Sequence, residues 1–334
     1  MRNPSVSVIV PAYNCEKTIV RALDSIANQT YLGQIDLIVI NDGSIDGTPE
    51  ILNDYQVMPF GRKYMLIHQK NGGVSAARNK GIEISVSDYI AFLDSDDYYH
   101  PEAFRNYMNK VEETDCDLLF GNIEQKVGDK EITGSEKAME FQPLFKTGVI
   151  NSPCAKVYKR EWLVEAGIKF APDLSIGEDL LFNTQAYFKA QHVLVMSYIG
   201  YVYDHSASSL TESYPPRYFE QRLLLLERFR EMLLKEGQLF EDEGWFYTKL
   251  CYSVILKYLA SGKHSFAEKS AFIKQVRQHP QVRDKIVSTK PKGLVKQVVT
   301  SVIVHTPISL LVHGLELLPI IKKILPRGAT GTSI

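Results

Sequence analysis

The sequence predicts an α/β protein in which helices flank a mainly parallel β-sheet and a helical region follows. Over residues 6–122, short apolar runs rich in Val and Ile alternate with segments whose apolar residues recur every three or four positions. Polar residues directly follow several of these runs, and after Pro216 only the helical spacing continues. Strands that alternate with helices form parallel sheets with both faces covered. We therefore expect a sheet domain first and helices after it.

Each of the five predicted strands is an apolar run that ends in a turn or a loop. The first ends at Pro11 and Asn14, and the second ends in the turn Asp42-Gly43-Ser44. The strands cover residues 6–14, 37–42, 64–68, 88–94 and 117–122.

The predicted helices lie between these strands. The residues Ile19, Leu23 and Ile26 share one helical face, which predicts a helix within 16–29. The next helix is expected to begin at Thr48, a favourable N-cap that is followed by proline. Further helices are expected over 74–86 and from Pro101 onward.

Length and charge limit the class of protein. The chain has 334 residues, enough for about two domains. Its 38 Lys and Arg residues nearly balance 39 Asp and Glu residues, which gives a formal net charge of −1. Nucleic-acid-binding proteins normally carry an excess of basic residues, so we expect no nucleic-acid partner.

Cysteine spacing and the amino-terminal residues predict the compartment. The four cysteines, at positions 15, 116, 154 and 251, form no Cys-x-x-Cys pair, so a zinc ribbon and a disulfide scaffold are unsupported. Buried free thiols in a reducing compartment are expected instead. The apolar run from Val6 to Val10 is too short for a signal peptide. Together these features predict a cytoplasmic location.

Polar residues follow the first, second and fourth predicted strands directly. They are Asn14, Asp42 and the run Asp94-Ser95-Asp96-Asp97. The carboxyl ends of parallel strands meet at one edge of the sheet, and open α/β sheets bind their ligands at this edge. Each residue alone is also typical of a turn or a helix cap. Their joint placement favours a binding site at this edge.

The aspartates of the fourth strand favour a metal site. Asp94 and Asp96 alternate in an extended segment, so both carboxylates can face one ligand. Two adjacent carboxylates repel each other unless a proton or a cation neutralises them. A Mg²⁺ or Mn²⁺ ion that also binds a diphosphate would do so, because these ions prefer carboxylate, water and phosphate oxygens. An EF-hand is excluded, because its loop glycine and its final glutamate are both absent.

Five segments in order resemble the motifs of family 2 glycosyltransferases, which have the GT-A fold, a Rossmann-like architecture of nucleotide-diphospho-sugar transferases. The segments are VSVIVPAYN (6–14), LIVINDGSIDGT (37–48), NGGVSAARNKGI (71–82), YIAFLDSDD (89–97) and GEDLLF (177–182). The resemblance implies an enzyme of bacterial cell-envelope or capsular polysaccharide synthesis. It specifies neither the donor nor the acceptor.

The resemblance also implies how the nucleotide is held. The nucleoside pocket would be lined by Pro11, Ala12, Tyr13 and Asn14. Asp42 would accept the imide N–H of uracil, and Arg78 would lie beside the nucleotide. Asp94 would contact the ribose or the metal, and Asp96 would be the principal metal ligand. Arg78 has a second interpretation, since arginines also pair with aspartates in purely structural roles.

A second acidic segment would supply the catalytic base. By resemblance, Asp179 is the general base, on the side of the sugar opposite the leaving diphosphate. Glu178, Lys156 and His205 are expected on the acceptor or diphosphate side. An acid directly before an apolar run is also typical of a helix amino-terminus, so for one of the two acids this simpler interpretation stays open.

We expect a catalytic domain over 1–213 and a helical region over 214–334. Residues 297–321 contain no Lys or Arg, and basic residues lie on both sides of them. Polar or helix-breaking residues interrupt this stretch, namely His305, Pro307, His313 and Glu316. Because such residues are costly inside a bilayer, 297–325 is predicted to lie on the membrane surface. A buried helix pair and a membrane span are the alternatives.

These observations predict an inverting, metal-dependent glycosyltransferase that uses a nucleotide sugar, with a uridine diphosphate sugar as the donor. The acceptor would be a hydroxyl of a cell-envelope glycan, a lipid-linked molecule or a protein. A non-catalytic subunit that binds nucleotide sugars is one alternative, but it would need no base. A sugar nucleotidyltransferase is the other, but those enzymes typically carry a Gly-rich, Arg-containing loop where this chain has Pro-Ala-Tyr-Asn.

Overall fold

A computed structural model describes residues 3–55, 62–123, 141, 144–145, 148–204, 217–238, 243–260, 264–288, 300–301 and 305–308. The chain divides into two compact units, Met1–Ser208 and Ser209–Ile334. Over these described ranges, the strands all belong to the first unit.

The first unit is built on a mixed sheet, to which the described residues contribute eight strands. The strands are β1 (Val6–Ala12), β2 (Ile35–Asn41), β3 (Lys63–His68), β4 (Tyr89–Phe92), β5 (Tyr98–Tyr99), β6 (Leu118–Ile123), β7 (Lys156–Lys159) and β8 (Val193–Val202). They lie in the order β3-β2-β1-β4-β7-β6-β8-β5. β3, β2, β1 and β4 are parallel to one another, and β6 is parallel to β8. β7 is antiparallel to both of its neighbours, β4 and β6, and β5 is antiparallel to β8.

The same unit contains the helices α1 (Ile19–Ala27), α2 (Thr48–Asp54), α3 (Val74–Ile84), α4 (Ala103–Thr114), α5 (Arg160–Glu165) and α6 (Glu178–Lys189). The strands and helices predicted over residues 6–122 are confirmed, with ends shifted by a few residues. All residues of β1 and β2 are buried, which explains their unbroken apolar runs.

One predicted helix start is wrong in detail. Thr48 is the first residue of α2, and Gly47 occupies the N-cap position. The Thr48 hydroxyl instead accepts the backbone N–H of Cys15 at 2.8 Å. The Thr48 side chain therefore links the loop after β1 to the loop after β2. It bonds to the distant Cys15 and does not cap its own helix.

An aromatic cluster joins β4, the loop before α6 and α6 itself. Phe170 and Phe182 stack with ring centroids 3.8 Å apart. Phe92 meets both rings edge-on, at 5.3 and 5.9 Å. Edge-on and stacked rings at these distances are favourable beyond the area they bury. The cluster therefore holds the carboxyl end of β4 close to the amino end of α6.

The second unit contains α7 (Tyr218–Lys235), α8 (Glu243–Ala260), α9 (Phe266–Gln278) and α10 (Pro280–Ser288). The apolar residues that recur at helical spacing on α7 are buried and form a core face, namely Phe219, Leu223, Leu226, Phe229 and Leu233. No helix in the part of the chain that the structure describes is long and apolar enough to cross a membrane. Most of 297–325 lies outside the described residues, so its predicted location stays a prediction.

Candidate active site

The carboxyl end of β1 carries the four residues predicted to line a nucleoside pocket. Pro11 and Ala12 are buried within the strand, whereas Tyr13 is 47% exposed. Asn14 is exposed and adopts a left-handed φ of 48°, and its Oδ1 accepts the backbone N–H of Ile45 at 2.9 Å. The exposed side chains at this edge are therefore those of Tyr13 and Asn14. Pro11 and Ala12 fix the strand that carries them.

Asp42 lies directly after β2 and is buried. Its Oδ1 accepts the Gln69 Nε2–H and the Gly72 N–H, both at 2.8 Å, and its Oδ2 accepts the Gly73 N–H at 2.8 Å. Gly73 has a φ of 85°, which residues with a side chain rarely adopt. These contacts hold the turn that leads into α3. Since a carboxylate has about four acceptor positions, one is left for a ligand N–H, and the predicted uracil contact stays a prediction.

Arg78, on α3, connects the two acidic segments that lie far apart in the sequence. Its Nη2 donates to Asp94 Oδ1 at 2.8 Å, and its Nη1 donates to Asp179 Oδ1 at 2.6 Å. Nη1 also contacts Glu178 Oε1 at 3.4 Å, and the guanidinium lies 5.2 Å from the centroid of the Phe170 ring. The side chain of Arg78 is only 4% exposed. Arg78 therefore pairs with acids of both segments, and its predicted place beside the nucleotide stays a prediction.

Asp179 lies in the first turn of α6, directly after Gly177 and Glu178. Gly177 has a φ of 78°, which allows the chain to turn sharply into the helix. Burial raises the pKa of Asp179 to about 8; the charges of Glu178 and Asp94 act in the same direction, and Arg78 opposes them. A carboxyl group with a pKa in this range can exchange a proton near neutral pH, as a general base must.

Asp94 to Asp97 form a tight turn at the end of β4, closed by a hydrogen bond from Asp97 N–H to the Asp94 carbonyl at 3.1 Å. Asp97 is 1% exposed, and its Oδ2 accepts the hydroxyl of Tyr201 at 2.6 Å. Burial raises the pKa of Asp97 to about 7, and the charge of Asp94 adds to this effect. Burial and Asp94 also raise the pKa of Asp96. The turn therefore concentrates three carboxyl groups.

The residues of this turn fit a divalent cation only when a ligand supplies further oxygens. Within the described ranges, no group of three or more His, Cys, Asp or Glu side chains is arranged to hold a metal ion. Asp94 and Asp96 provide two carboxylates, one of which shares an oxygen with Arg78. Mg²⁺ is commonly bound by one or two carboxylates together with substrate phosphates. The donor set therefore fits a cation that is bound with a diphosphate.

Lys156, predicted on the acceptor or diphosphate side, lies near enough to Asp179 for its charge to act on that carboxyl group. It is fully buried, and its ammonium donates to the carbonyls of Val149 at 2.8 Å and Cys154 at 3.1 Å. The ammonium also lies 5.1 Å from the centroid of the Phe120 ring. Lys156 therefore anchors the loop before β7 inside the fold. His205 lies outside the described residues.

Two residues at this edge were not predicted from the sequence. They are Asp97, a buried hydrogen-bond acceptor, and Tyr201, whose hydroxyl donates to it. Asp97 was visible only as part of the acidic run that follows β4. Tyr201 lies 104 positions further along the chain, and only the pairing of β8 with β5 brings it to this edge. No local sequence signal reports such a contact.

Comparison with known proteins extends these observations. The family model Glycosyl transferase family 2 matches residues 7–167. EpsH of Bacillus subtilis (strain 168), named a glycosyltransferase, is 32% identical over 253 residues, which cover 72% of this chain and 72% of EpsH. TarS of Staphylococcus aureus, named a poly(ribitol-phosphate) beta-N-acetylglucosaminyltransferase, is 29% identical over 233 residues, which cover 66% of this chain and 40% of TarS.

Solved structures share the fold. TarS 1–349 in complex with UDP aligns with a TM-score of 0.58 and 22% identity, over 96% of this chain and 92% of that one. TarS 1–349 in complex with UDP-GlcNAc aligns with the same TM-score and 20% identity, over 90% and 91% of the two chains. The mannosyltransferase PcManGT of Pyrobaculum calidifontis, in complex with GDP-Man and Mn²⁺, aligns with a TM-score of 0.50 and 15% identity, over 91% and 87%. The chain therefore belongs to glycosyltransferase family 2, and it is a nucleotide-sugar glycosyltransferase with the GT-A fold.

Proposed function

We propose that the chain transfers a sugar from a UDP sugar to an acceptor hydroxyl, with inversion at the anomeric carbon and with a divalent cation. The position of Arg78 between Asp94 and Asp179 carries this proposal. One guanidinium joins the carboxylate expected at the diphosphate to the carboxylate expected at the acceptor. In a single displacement, the leaving group and the attacking oxygen lie on opposite sides of one carbon atom. Asp94 would act on the diphosphate side, and Asp179 would act as the base on the acceptor side.

The donor would bind at the carboxyl ends of β1 and β2. The exposed ring of Tyr13 offers an apolar face to a base, and Asp42 keeps one acceptor position for an imide N–H. The free N–H groups at the start of α3 suit a diphosphate. Two complexes of TarS, which contain UDP and UDP-GlcNAc, support UDP as the nucleotide.

Asp94 and Asp96 would hold the cation, Mg²⁺ or Mn²⁺. When bound, such an ion stabilises the negative charge of the leaving diphosphate. The Mn²⁺ named in the PcManGT complex supports this choice of ion. Arg78 would keep Asp94 in place while the acid also serves as a ligand.

Asp179 would remove the proton of the acceptor hydroxyl. The acceptor oxygen forms a bond to the anomeric carbon while the bond from that carbon to the diphosphate oxygen breaks, and UDP leaves with the electron pair. Attack from the face opposite UDP inverts the configuration. Arg78 would fix the orientation of the base through its hydrogen bond to Asp179, and Glu178 contacts the same guanidinium nitrogen.

We infer that the acceptor belongs to the cell envelope, as a glycan, a lipid-linked molecule or a protein. The name of TarS, which acts on poly(ribitol-phosphate), supports this class. A peripheral position on the inner face of the membrane fits such an acceptor, and the apolar composition of 297–325 supports it.

The donor is tested by titrating UDP, GDP and dTDP sugars into the protein with Mn²⁺, and by measuring release of the nucleotide. We expect binding and slow hydrolysis of a UDP sugar and no measurable binding of GDP-mannose. Addition of EDTA should stop the release. A preference for a GDP sugar would overturn the proposed nucleotide, and full activity in EDTA would overturn the proposed cation.

A further inference from the structure

The acidic turn Asp94–Asp97 is tied to the carboxyl end of β8 by buried hydrogen bonds that the proposed reaction does not use. The Tyr201 hydroxyl donates to Asp97 Oδ2 at 2.6 Å, and it accepts the Asp94 N–H at 3.3 Å. One hydroxyl therefore contacts the first and the last residue of the turn. Tyr201 and Asp97 are both 1% exposed, so packing on all sides fixes their rotamers.

The turn is also held from its other side. Asp97 Oδ1 accepts the backbone N–H of Asp204 at 2.9 Å, and the Asp204 carboxylate pairs with Arg21 of α1. The second guanidinium nitrogen of Arg21 donates to the carbonyl of Asp96 at 2.6 Å. Arg21 thus reaches both the end of β8 and the backbone of Asp96. We call Arg21, Asp97, Tyr201 and Asp204 the β8 clamp.

The β8 clamp acts on the backbone of the residues whose carboxylates are expected to bind the cation. Residues that orient metal ligands without touching the metal strongly influence metal affinity, because a ligand set that is already arranged loses less entropy on binding. Asp97 and Tyr201 are too deeply buried to serve as ligands themselves. Their hydrogen bonds are instead with each other and with the backbone N–H groups of Asp94 and Asp204.

We propose that Asp97 and Tyr201 are positioning residues that hold Asp94 and Asp96 ready for a divalent cation and the diphosphate. This inference rests on the proposed function, because it assumes that the two acids bind a cation. It assigns a role to the third acid of the run, Asp97, and to the end of a strand more than one hundred positions away.

The test is a titration of Mn²⁺ into the full chain with saturating UDP, followed by the EPR signal of free Mn²⁺. Tyr201→Phe removes only the hydroxyl that bridges the turn. Tyr31→Phe is the matched control, because the buried Tyr31 hydroxyl donates to the Pro4 carbonyl at the same distance of 2.6 Å, at the amino ends of the strands. We expect Tyr201→Phe to weaken Mn²⁺ binding by about 10- to 100-fold, and Tyr31→Phe to leave it unchanged.

Two further measurements separate positioning from general loss of structure. UDP affinity in EDTA should be the same in Tyr201→Phe and the parent chain, because the nucleoside contacts lie at β1 and β2. Asp97→Asn, which keeps the shape but loses the charged acceptor, should weaken Mn²⁺ binding in the same range. The Asp97→Asn, Tyr201→Phe double variant should lose less than the product of the two single losses, because both act through one contact.

The outcomes also distinguish this inference from the proposed function. If the parent chain binds UDP but no Mn²⁺, the proposed cation is wrong and the inference falls with it. Should the parent bind Mn²⁺ while Tyr201→Phe and Asp97→Asn bind it equally well, the inference alone is overturned. Equal losses in Tyr201→Phe and Tyr31→Phe would also overturn it, since they would show a general effect on stability. If Tyr201→Phe does not fold, Asp97→Asn decides the question.

Discussion

Arg78 is the residue at which the two halves of the candidate site meet. Its buried guanidinium faces Asp94, Glu178 and Asp179, so a single positive charge serves three carboxyl groups. A low-dielectric site with more acids than bases favours retention of a proton, which is why the pKa of Asp179 is raised despite the contact with Arg78. Arg78 therefore orients the predicted base, and its charge only partly offsets the burial and the neighbouring acids that keep Asp179 partly protonated.

The raised pKa of Asp179 predicts the pH dependence of transfer. A general base acts only when it is deprotonated, so the rate should rise with pH through the pKa near 8 and level off above it. An aspartate with an ordinary pKa would give a flat rate above about pH 5. The check is the pH profile of kcat with saturating donor and cation. A profile that is flat from pH 5 to 9 would contradict this account of Asp179.

Polar residues at the ends of β1, β2 and β4 were predictable because each directly follows an apolar run. The partners of Arg78 were not, since its contacts with Glu178 and Asp179 join residues 100 and 101 positions apart. The same holds for Lys156, whose pattern in the sequence is that of any residue on a short strand. Its ammonium can be buried because backbone carbonyls that precede β7 accept its hydrogen bonds, and these carbonyls face the ammonium only in the folded chain.

At the scale of elements, α3 and β1 pack so closely that a glycine is required between them. A Cβ added at Gly81 would lie 2.3 Å from Ile9 Cγ2. This contact fixes the position of α3, whose first turn follows Gly73 and whose next turn carries Arg78. The packing of α3 against β1 therefore also sets the position of Arg78 in the candidate site.

Gly81→Ala should destabilise the chain by about 1–3 kcal/mol, because the added methyl group overpacks the contact with Ile9. The measurement is the shift in urea unfolding. In an Ile9→Ala background, where the clashing atoms are removed, the same change should cost clearly less. Equal costs in both backgrounds would show that the contact is not the cause.

The order of elements was more predictable than their directions. Long apolar runs identified β1 and β2, because both strands are buried throughout. β7 has only four residues, and the direction in which it enters the sheet is set by its pairing with β4 and β6. β5 has two residues, too few for a periodic pattern. Such strands are defined by tertiary pairing rather than by local sequence.

At the scale of the whole molecule, the candidate site and the helical region belong to two different units. Every described residue of the candidate site belongs to the unit Met1–Ser208. The unit Ser209–Ile334 contributes helices with buried apolar faces in its described part. The proposed membrane-surface segment, 297–325, belongs to this second unit.

Deletion of 297–325 should release the chain from a membrane fraction and leave UDP-sugar hydrolysis largely intact, because the candidate site lies in the other unit. The measurement is the partition of parent and shortened chains between sedimented membranes and supernatant, with hydrolysis assayed in both. An insoluble shortened chain would indicate that the segment belongs to a core, and unchanged sedimentation would exclude it as the attachment.

The most direct test of the central claim compares transfer and donor binding in Asp179→Asn, with Glu178→Gln as the matched control. Asp179→Asn keeps the size of the side chain and removes the base, so transfer should fall by about 10²–10⁴-fold. Affinity for UDP with Mn²⁺ should stay near that of the parent, and Glu178→Gln should lose much less transfer. Transfer at the parent rate in Asp179→Asn, together with an inactive Glu178→Gln, would place the base at Glu178. Parent rates in both variants would contradict the claim that this acidic pair supplies the base.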